Sequence, residues 1–124
     1  IKTEKQRYSR GLKRRKEILG VKYVEARLKN RHPFTDEFQA LITRYAWGEI
    51  WTRPAFDDRT RRLVVLAMMV AMKNWGEFEL HVREGLVHEL SPAELKEVLM
   101  LAAIYCGVPA ANTAFGRAKK IIAP

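Results

Sequence analysis

Residues 63–82, "LVVLAMMVAMKNWGEFELHV", join an apolar run of ten residues to an amphipathic segment. The run is shorter than the ~18 apolar residues that a membrane-spanning helix requires. Because it is apolar at nearly every position, it predicts a central helix that is buried on most sides. After a short break at 74–76, Glu77 and His81 lie four residues apart, so a helix continuing to about His88 places both on one face.

Helix signals also mark the segments on either side of this stretch. In "LSPAELKEVL" (90–99), Ser91 is the expected N-cap, Pro92 the first helical residue and Glu94 the partner in a capping box. The buried stripe predicted for this helix comprises Leu95, Val98, Leu99, Leu101 and Ala102. Gly107 ends the helix, and a last helix begins at Pro109.

The N-terminal half contains two further predicted helices. A basic helix covers residues 8–19, although Gly11 weakens it. Thr35 is the expected N-cap of a helix that runs to Ile50, and Asp57 or Asp58 caps the helix after the next loop. No segment alternates with period two, and no Asn-Gly or Asp-Gly hairpin signal is present. The sequence therefore predicts an all-α fold of about six helices in one domain, residues 1–124.

The composition limits the classes of partner. The 124 residues carry a net charge of +9, with 48% hydrophobic and 30% charged residues, which is typical of a globular chain. Such a charge suits either a nucleic-acid surface or a field that attracts small anions. Because no zinc-finger spacing, RNP-like motif or glycine-rich phosphate loop accompanies it, we expect no nucleic-acid partner. If the field attracts a small anion, the basic block at residues 13–16 is expected to affect only the salt dependence of its capture, whereas in a nucleic-acid-binding protein this block would govern the affinity.

The cysteine content and the opening residues indicate the compartment. Cys106 is the single cysteine, so neither an internal disulfide nor a CxxC redox pair can form. The opening residues lack the apolar core of a secretory signal. We therefore expect a cytoplasmic protein without a membrane partner.

The carboxylate–imidazole pair has three interpretations. Glu77, His81, Glu84 and His88 follow one helical face and can be a working site, a metal ligand set or a solvated ion-pair face. A metal site lacks ligands, since no second Glu-x-x-His helix and no histidine–cysteine set is present. Spacing alone favours the solvated face.

A second group combines tryptophans with arginines. These residues cluster around the loop before the apolar helix: Trp47, Trp51, Arg53, Arg59 and Arg61. Such a combination suits a pocket for a small planar dianion, because guanidinium forks bind carboxylates through two hydrogen bonds. The alternative is that the tryptophans are ordinary core residues and the arginines are solvated.

The order of these segments resembles the γ-carboxymuconolactone decarboxylase family of the alkylhydroperoxidase-like superfamily. The resemblance extends from about Tyr8 to the C-terminus, and its most specific parts are Tyr45-Ala46-Trp47-Gly48, Trp51 with Arg53-Pro54, Arg59-Thr60-Arg61, Glu77 with His81-Val82-Arg83, and "YCGVPAAN" at 105–112. It implies an all-α homo-oligomer, a hexamer, that removes CO2 from 4-carboxymuconolactone in the β-ketoadipate pathway of protocatechuate breakdown.

The resemblance also implies the chemistry of the site. The peroxidase members of the superfamily carry a CxxC pair, whereas this chain has Asn74 and Glu77 there, so thiol peroxidase chemistry has no nucleophile. No cofactor and no metal are implied, because the lactone ring accepts the electrons itself. His81 is expected to titrate near neutral pH and to deliver a proton, with Glu77 holding its charge.

The remaining expected roles concern substrate binding. The resemblance implies that Arg53, Arg59 and Arg61 bind the substrate's carboxylates, and that Trp47 and Tyr105 form an apolar wall. Two alternatives stay open: a non-catalytic or redox-related superfamily member, and a basic nucleic-acid-binding module.

Overall fold

The computed structural model describes residues 2–124. Its helices, in chain order, are α1 (Glu4–Leu19), α2 (Val21–Lys29), α3 (Pro33–Ile42), the π-helical segment π1 (Thr43–Ile50), α4 (Asp58–Met72), α5 (Trp75–His88), α6 (Pro92–Tyr105) and α7 (Val108–Ile122). Residues 2–124 contain no strand, so the all-α prediction is confirmed. The helix that the sequence analysis missed is α2, which begins directly after Gly20 at the end of α1.

The chain forms two compact units, divided after Ala55. The first unit contains α1, α2, α3 and π1, and the second contains α4 to α7. A single domain over residues 1–124 stays a prediction. Among residues 2–124, no helix is both long enough and apolar enough to cross a membrane.

In the first unit, α1 and π1 pack with their backbones in close contact. A Cβ atom on Gly11 of α1 would overlap the carbonyl oxygen of Thr43 and lie 2.9 Å from the backbone nitrogen of Gly48. Gly11 is therefore required by this close approach, and its cost to the helix is offset by packing. The Arg14 side chain also links α1 to the end of π1, because its Nε donates to the carbonyl oxygen of Trp51, the residue that follows π1, at 2.7 Å.

The structure corrects two predictions for the first unit. The N-cap of α3 is His32 rather than Thr35: its Nδ1 accepts from the backbone N–H of Phe34 at 3.0 Å, and Pro33 is the first helical residue. The basic block at 13–16 is also not uniform. Arg15 is buried and donates to Gln39 Oε1 at 3.1 Å, so this residue, like Arg14, belongs to the packing of the unit.

The second unit has its core along one face of α4. Leu66 and Val70 of α4 pack with Phe78 and Val82 of α5 and with buried residues of α6 and α7, namely Leu95, Leu99, Ala102, Ala110, Ala114 and Ala118. The prediction that α4 is buried on most sides is wrong for the single chain, since Val64, Met68 and Met72 are exposed. The helical period leaves their side of α4 outside the core.

Local signals in the second unit are largely confirmed. Asp57 caps α4 by accepting from the backbone N–H of Thr60 at 2.7 Å. Ser91 and Glu94 form the predicted capping box at the start of α6, with hydrogen bonds of 3.2 and 2.9 Å. In contrast, Leu101, which was expected in the buried stripe of α6, is exposed.

We predict that Gly11→Ala strongly destabilises the first unit. The added methyl group collides with backbone atoms of π1, which cannot rotate away as a side chain can, so the free energy of unfolding falls by about 1–3 kcal/mol or more. Gly116→Ala in α7 is the matched control. No atom approaches its added Cβ within 4 Å, so it should stabilise by about 0.5–1 kcal/mol. Urea denaturation measures both, and equal effects would contradict the packing interpretation.

Candidate active site

A buried arginine organises the second unit. Arg62 of α4 is fully buried, and its Nε donates to Glu89 Oε1 at 2.5 Å. Its Nη1 lies 2.9 Å from Nδ1 of His81, which is also buried. A buried guanidinium requires partners that satisfy its N–H groups, and these two side chains provide them.

The turn after α5 makes this arrangement possible. The backbone N–H groups of Glu89 and Leu90 both donate to the carbonyl oxygen of Gly85, at 2.9 and 2.7 Å, and this bends the chain back towards Arg62. A Cβ on Gly85 would lie 2.9 Å from Leu90 Cδ1 and 3.3 Å from Arg62 Cγ. The absence of a side chain at Gly85 therefore leaves room for both residues.

The contact with Arg62 determines the protonation of His81. A guanidinium can only donate, so Nδ1 of His81 accepts, and the proton of the neutral ring is on Nε2. Burial and the adjacent charge of Arg62 lower the pKa of His81 to about 4. The expectation that His81 titrates near neutral pH is therefore wrong: at pH 7 it is a neutral imidazole that presents an Nε2–H donor.

Glu77 lies next to that donor. Its Oε2 is 4.0 Å from Nε2 of His81, and its side chain is 46% exposed. The structure thus brings the predicted pair together, but the distance is too long for a direct hydrogen bond. Glu77 does not hold an imidazolium charge, because His81 is neutral.

The second carboxylate–histidine pair on this face of α5, Glu84 and His88, differs from the first in its exposure. Nε2 of His88 lies 3.6 Å from Oε1 of Glu84, and His88 is exposed. This pair fits the solvated face that spacing alone favours. Across residues 2–124, no three His, Cys, Asp or Glu side chains are grouped so that they could hold a metal ion.

Three more predicted site residues lie in the second unit. Arg59 pairs with Glu94, the capping-box residue of α6, and not with Glu77 or His81. Arg61 is partly buried on the first turns of α4. Tyr105 is 86% exposed and borders an apolar groove of about 310 Å³ between α4 and α6.

Two predicted site residues lie in the first unit. Trp47 stacks on Trp51 with ring centroids 5.1 Å apart, and both tryptophans are buried. Arg53 borders a groove of about 420 Å³ together with Arg7 and Arg10. The first unit therefore contains an electropositive groove, and its lining includes Arg53, one of the arginines predicted to bind a substrate carboxylate.

Sequence reasoning missed Arg62 and Glu89. The signal for Arg62 was present, because it precedes Leu66 and Val70 by four and eight residues and so shares their buried face. An arginine in register with core residues predicts a buried charge that needs partners. Glu89 had no comparable signal, since it lies beyond the end of α5.

The fold and the site define a class: a helical protein in which a guanidinium keeps a buried histidine neutral beside a carboxylate. Comparison with known proteins identifies the family. The model of the carboxymuconolactone decarboxylase family matches residues 36–120, and the chain belongs to this family.

Three relatives support the assignment. The chain is 38% identical to 4-carboxymuconolactone decarboxylase of Acinetobacter baylyi over 118 residues, which cover 95% of this chain and 88% of the relative. It is 41% identical to nitrosuccinic acid decarboxylase of Metarhizium robertsii over 102 residues, which cover 82% and 71%. It is 44% identical to 4-carboxymuconolactone decarboxylase of Pseudomonas putida over 46 residues. These residues cover 37% of this chain and 96% of the relative.

We predict a specific dependence of stability on pH. The unfolded chain binds a proton at His81 near pH 6.5, whereas the folded chain binds it only near a pKa of about 4. The free energy of unfolding should therefore fall as the pH is lowered from 6.5 to 4, by about 3 kcal/mol from this group, with no further loss from it below pH 4.

The comparison variant is His81→Asn, whose amide oxygen can accept from Arg62 but whose side chain does not titrate. Urea denaturation between pH 7 and pH 4 should show a smaller loss for this variant than for the wild type. Identical pH dependence in the two proteins would show that His81 is not held neutral in the folded state.

Proposed function

We propose that this chain decarboxylates 4-carboxymuconolactone to the β-ketoadipate enol-lactone and CO2 without a cofactor. The observation that carries the proposal is the similarity to the Acinetobacter baylyi decarboxylase over 95% of the chain. The geometry around His81 supports the proposal, because the contact with Arg62 fixes the imidazole as a hydrogen-bond donor for a developing negative charge.

The reaction needs an electron sink and one proton. The bond between the ring carbon and its carboxylate breaks, and CO2 leaves. The electron pair moves through the ring double bond to the lactone carbonyl, which gives a dienolate with negative charge on the carbonyl oxygen. A proton then adds to the carbon next to the carbonyl. Since the ring accepts the electrons, the protein has to stabilise the oxygen and supply the proton.

His81 is suited to stabilise the dienolate oxygen. The proton of its neutral ring is on Nε2, and the contact of 2.9 Å with Arg62 at Nδ1 polarises the imidazole towards donation. A preorganised donor in a buried position contributes more than the same donor in water, because no solvent has to reorganise. In our proposal His81 thus acts as an electrophile, and not as an imidazolium acid.

Glu77 is the candidate for the proton transfer. It lies 4.0 Å from His81 Nε2, and nearly half of its side chain is exposed, so it can exchange protons with solvent. A group between the reacting carbon and water can relay a proton after CO2 has left.

The binding roles of the other residues stay proposals from the resemblance. Arg53, Arg59 and Arg61 are the candidates for the carboxylate contacts. If Arg59 takes this role, it must exchange its partner Glu94 for the substrate. Trp47 and Tyr105 are the candidates for the apolar wall.

Nitrosuccinic acid is a second candidate substrate. The chain is 41% identical to a relative named for its decarboxylation. The two substrates have the same functional groups in common. Both carry two carboxylates, and in both an electron-accepting group can take up the electron pair that remains when CO2 leaves. The accepting group is the lactone carbonyl in one case and the nitro group in the other, and the Nε2–H of His81 suits either oxygen.

The decisive experiment measures turnover of both acids. Purified protein treated with EDTA should release CO2 from 4-carboxymuconolactone with a higher kcat/KM than from nitrosuccinic acid. A reversed ratio favours the second candidate. No turnover of either acid by a folded protein contradicts the proposed function.

Two matched variants test the role of His81. His81→Asn should lower kcat by about 10²-fold or more, because it removes the Nε2–H donor while retaining an acceptor for Arg62. His88→Asn, which changes the solvated histidine of the same helix, should retain wild-type activity.

The acid limb of the wild-type kcat/KM profile should lie near the lowered pKa of about 4. A limb at pH 6–7 that disappears in His81→Asn would show that His81 acts as an imidazolium.

We also propose that the chain is a homo-oligomer, a hexamer by resemblance. α4 exposes Met68 and Met72, and α6 exposes Leu101, Ile104 and Tyr105. Apolar side chains clustered on helix faces in this way are typical of protein interfaces. A cytoplasmic location and the absence of a nucleic-acid partner remain proposals as well.

Light scattering tests the assembly. Wild-type protein at micromolar concentration should have about six times the mass of one chain, and Ile104→Glu should reduce that mass by placing a charge in the apolar face. A wild-type monomer would contradict the proposal.

A further inference from the structure

A cavity in the first unit has features that the proposed function does not use. It measures about 330 Å³ and lies among α1, α2 and α3. The polar side chains that line it are Tyr8, Arg15, Arg27, Arg31, Asp36 and Gln39. This volume is at the lower end of the roughly 300–1,000 Å³ typical of small-molecule sites.

The charges around the cavity are unbalanced. Three guanidinium groups line it, against one carboxylate, that of Asp36. Arg15 is buried, and its Nη1 donates to Gln39 Oε1 at 3.1 Å, so its position is fixed. Arg27 is positioned by the ring of Tyr23, whose centroid lies 5.6 Å from the guanidinium carbon. Like charges that line one cavity repel one another, and an anion bound between them offsets that repulsion.

The chemistry of the lining defines the ligand. Guanidinium forks match the two oxygens of a carboxylate or a phosphate group. Leu28 and Ala40 add apolar surface beside the arginines. A ligand with an oxyanion group on a small apolar body satisfies both parts of the lining.

We propose that this cavity binds a small organic oxyanion, a carboxylate or a phosphate ester, through Arg15, Arg27 and Arg31. The site shares no lining residue with the His81 arrangement, so it is independent of the proposed function and adds an anion site to the chain.

Calorimetric titration with three probes of similar size tests the ligand class. Benzoate and phenyl phosphate carry the two oxyanion groups, and benzamide is the neutral control. At least one of the two anions should bind to the wild type, and benzamide should not. The anion that binds with the higher affinity shows whether the cavity prefers a carboxylate or a phosphate ester. Binding of benzamide with equal affinity, or binding of neither anion, overturns the proposal.

Single-charge variants test the location. Arg31→Gln removes a lining guanidinium, and Lys22→Gln removes the same charge from an exposed position on α2 outside the lining. Because a charge-assisted hydrogen bond contributes about 1.5–3 kcal/mol, Arg31→Gln should weaken anion binding by about 10-fold or more. Lys22→Gln should leave it within about 2-fold, since Lys22 does not line the cavity and would not contact the anion. An equal effect of the two variants overturns the proposal.

Two further variants keep the test decisive. Arg27→Gln changes a second, exposed lining residue, so the result does not depend on the buried Arg15, whose replacement threatens folding. His81→Asn should retain wild-type anion affinity. Loss of binding in His81→Asn, with no loss in Arg27→Gln and Arg31→Gln, would assign the anion to the other site and overturn the proposal.

Discussion

The buried charge of Arg62 is the constraint on which the second unit depends. A guanidinium in an apolar core is unfavourable unless its donors are satisfied, and here His81 and Glu89 satisfy them. These partners come from the middle of α5 and from the turn that follows it. Gly85 leaves space in this turn for the side chains of Arg62 and Leu90. One charge thus fixes the packing of α4 against α5 and the path of the chain into α6.

The same contact links stability to chemistry. A nearby carboxylate at the surface makes a histidine easier to protonate, whereas His81 is buried and contacts the permanent cation of Arg62. Its lowered pKa makes folding less favourable in acid, and it also keeps the imidazole in the form that donates through Nε2 at neutral pH. In the proposed reaction, the positive charge of Arg62 supports the donor that faces the developing oxyanion. In that proposal, the chain itself supplies the positive charge, through Arg62.

The net charge of +9 comes from residues with very different roles. In the first unit, Arg14 binds a backbone carbonyl and Arg15 is buried against α3, so part of the basic N-terminal segment holds helices together. Arg53 borders an electropositive groove, and Arg27 and Arg31 border the cavity. Net charge alone cannot separate these roles, because each depends on what surrounds the side chain.

Features that depend on neighbouring residues could be predicted from the sequence. The capping box of Ser91 and Glu94, the cap at Asp57 and the helical spacing of Glu77 and His81 were all predictable, because their partners lie within one or two helical turns. The resemblance added the family, because several short motifs occur in the right order. Which helix faces are buried, why Gly11 is needed and why His81 is neutral became clear only from the packing of distant segments. Arg62 lies 19 residues from His81 and 27 from Glu89, and the pKa of a side chain depends on the groups that the fold brings next to it.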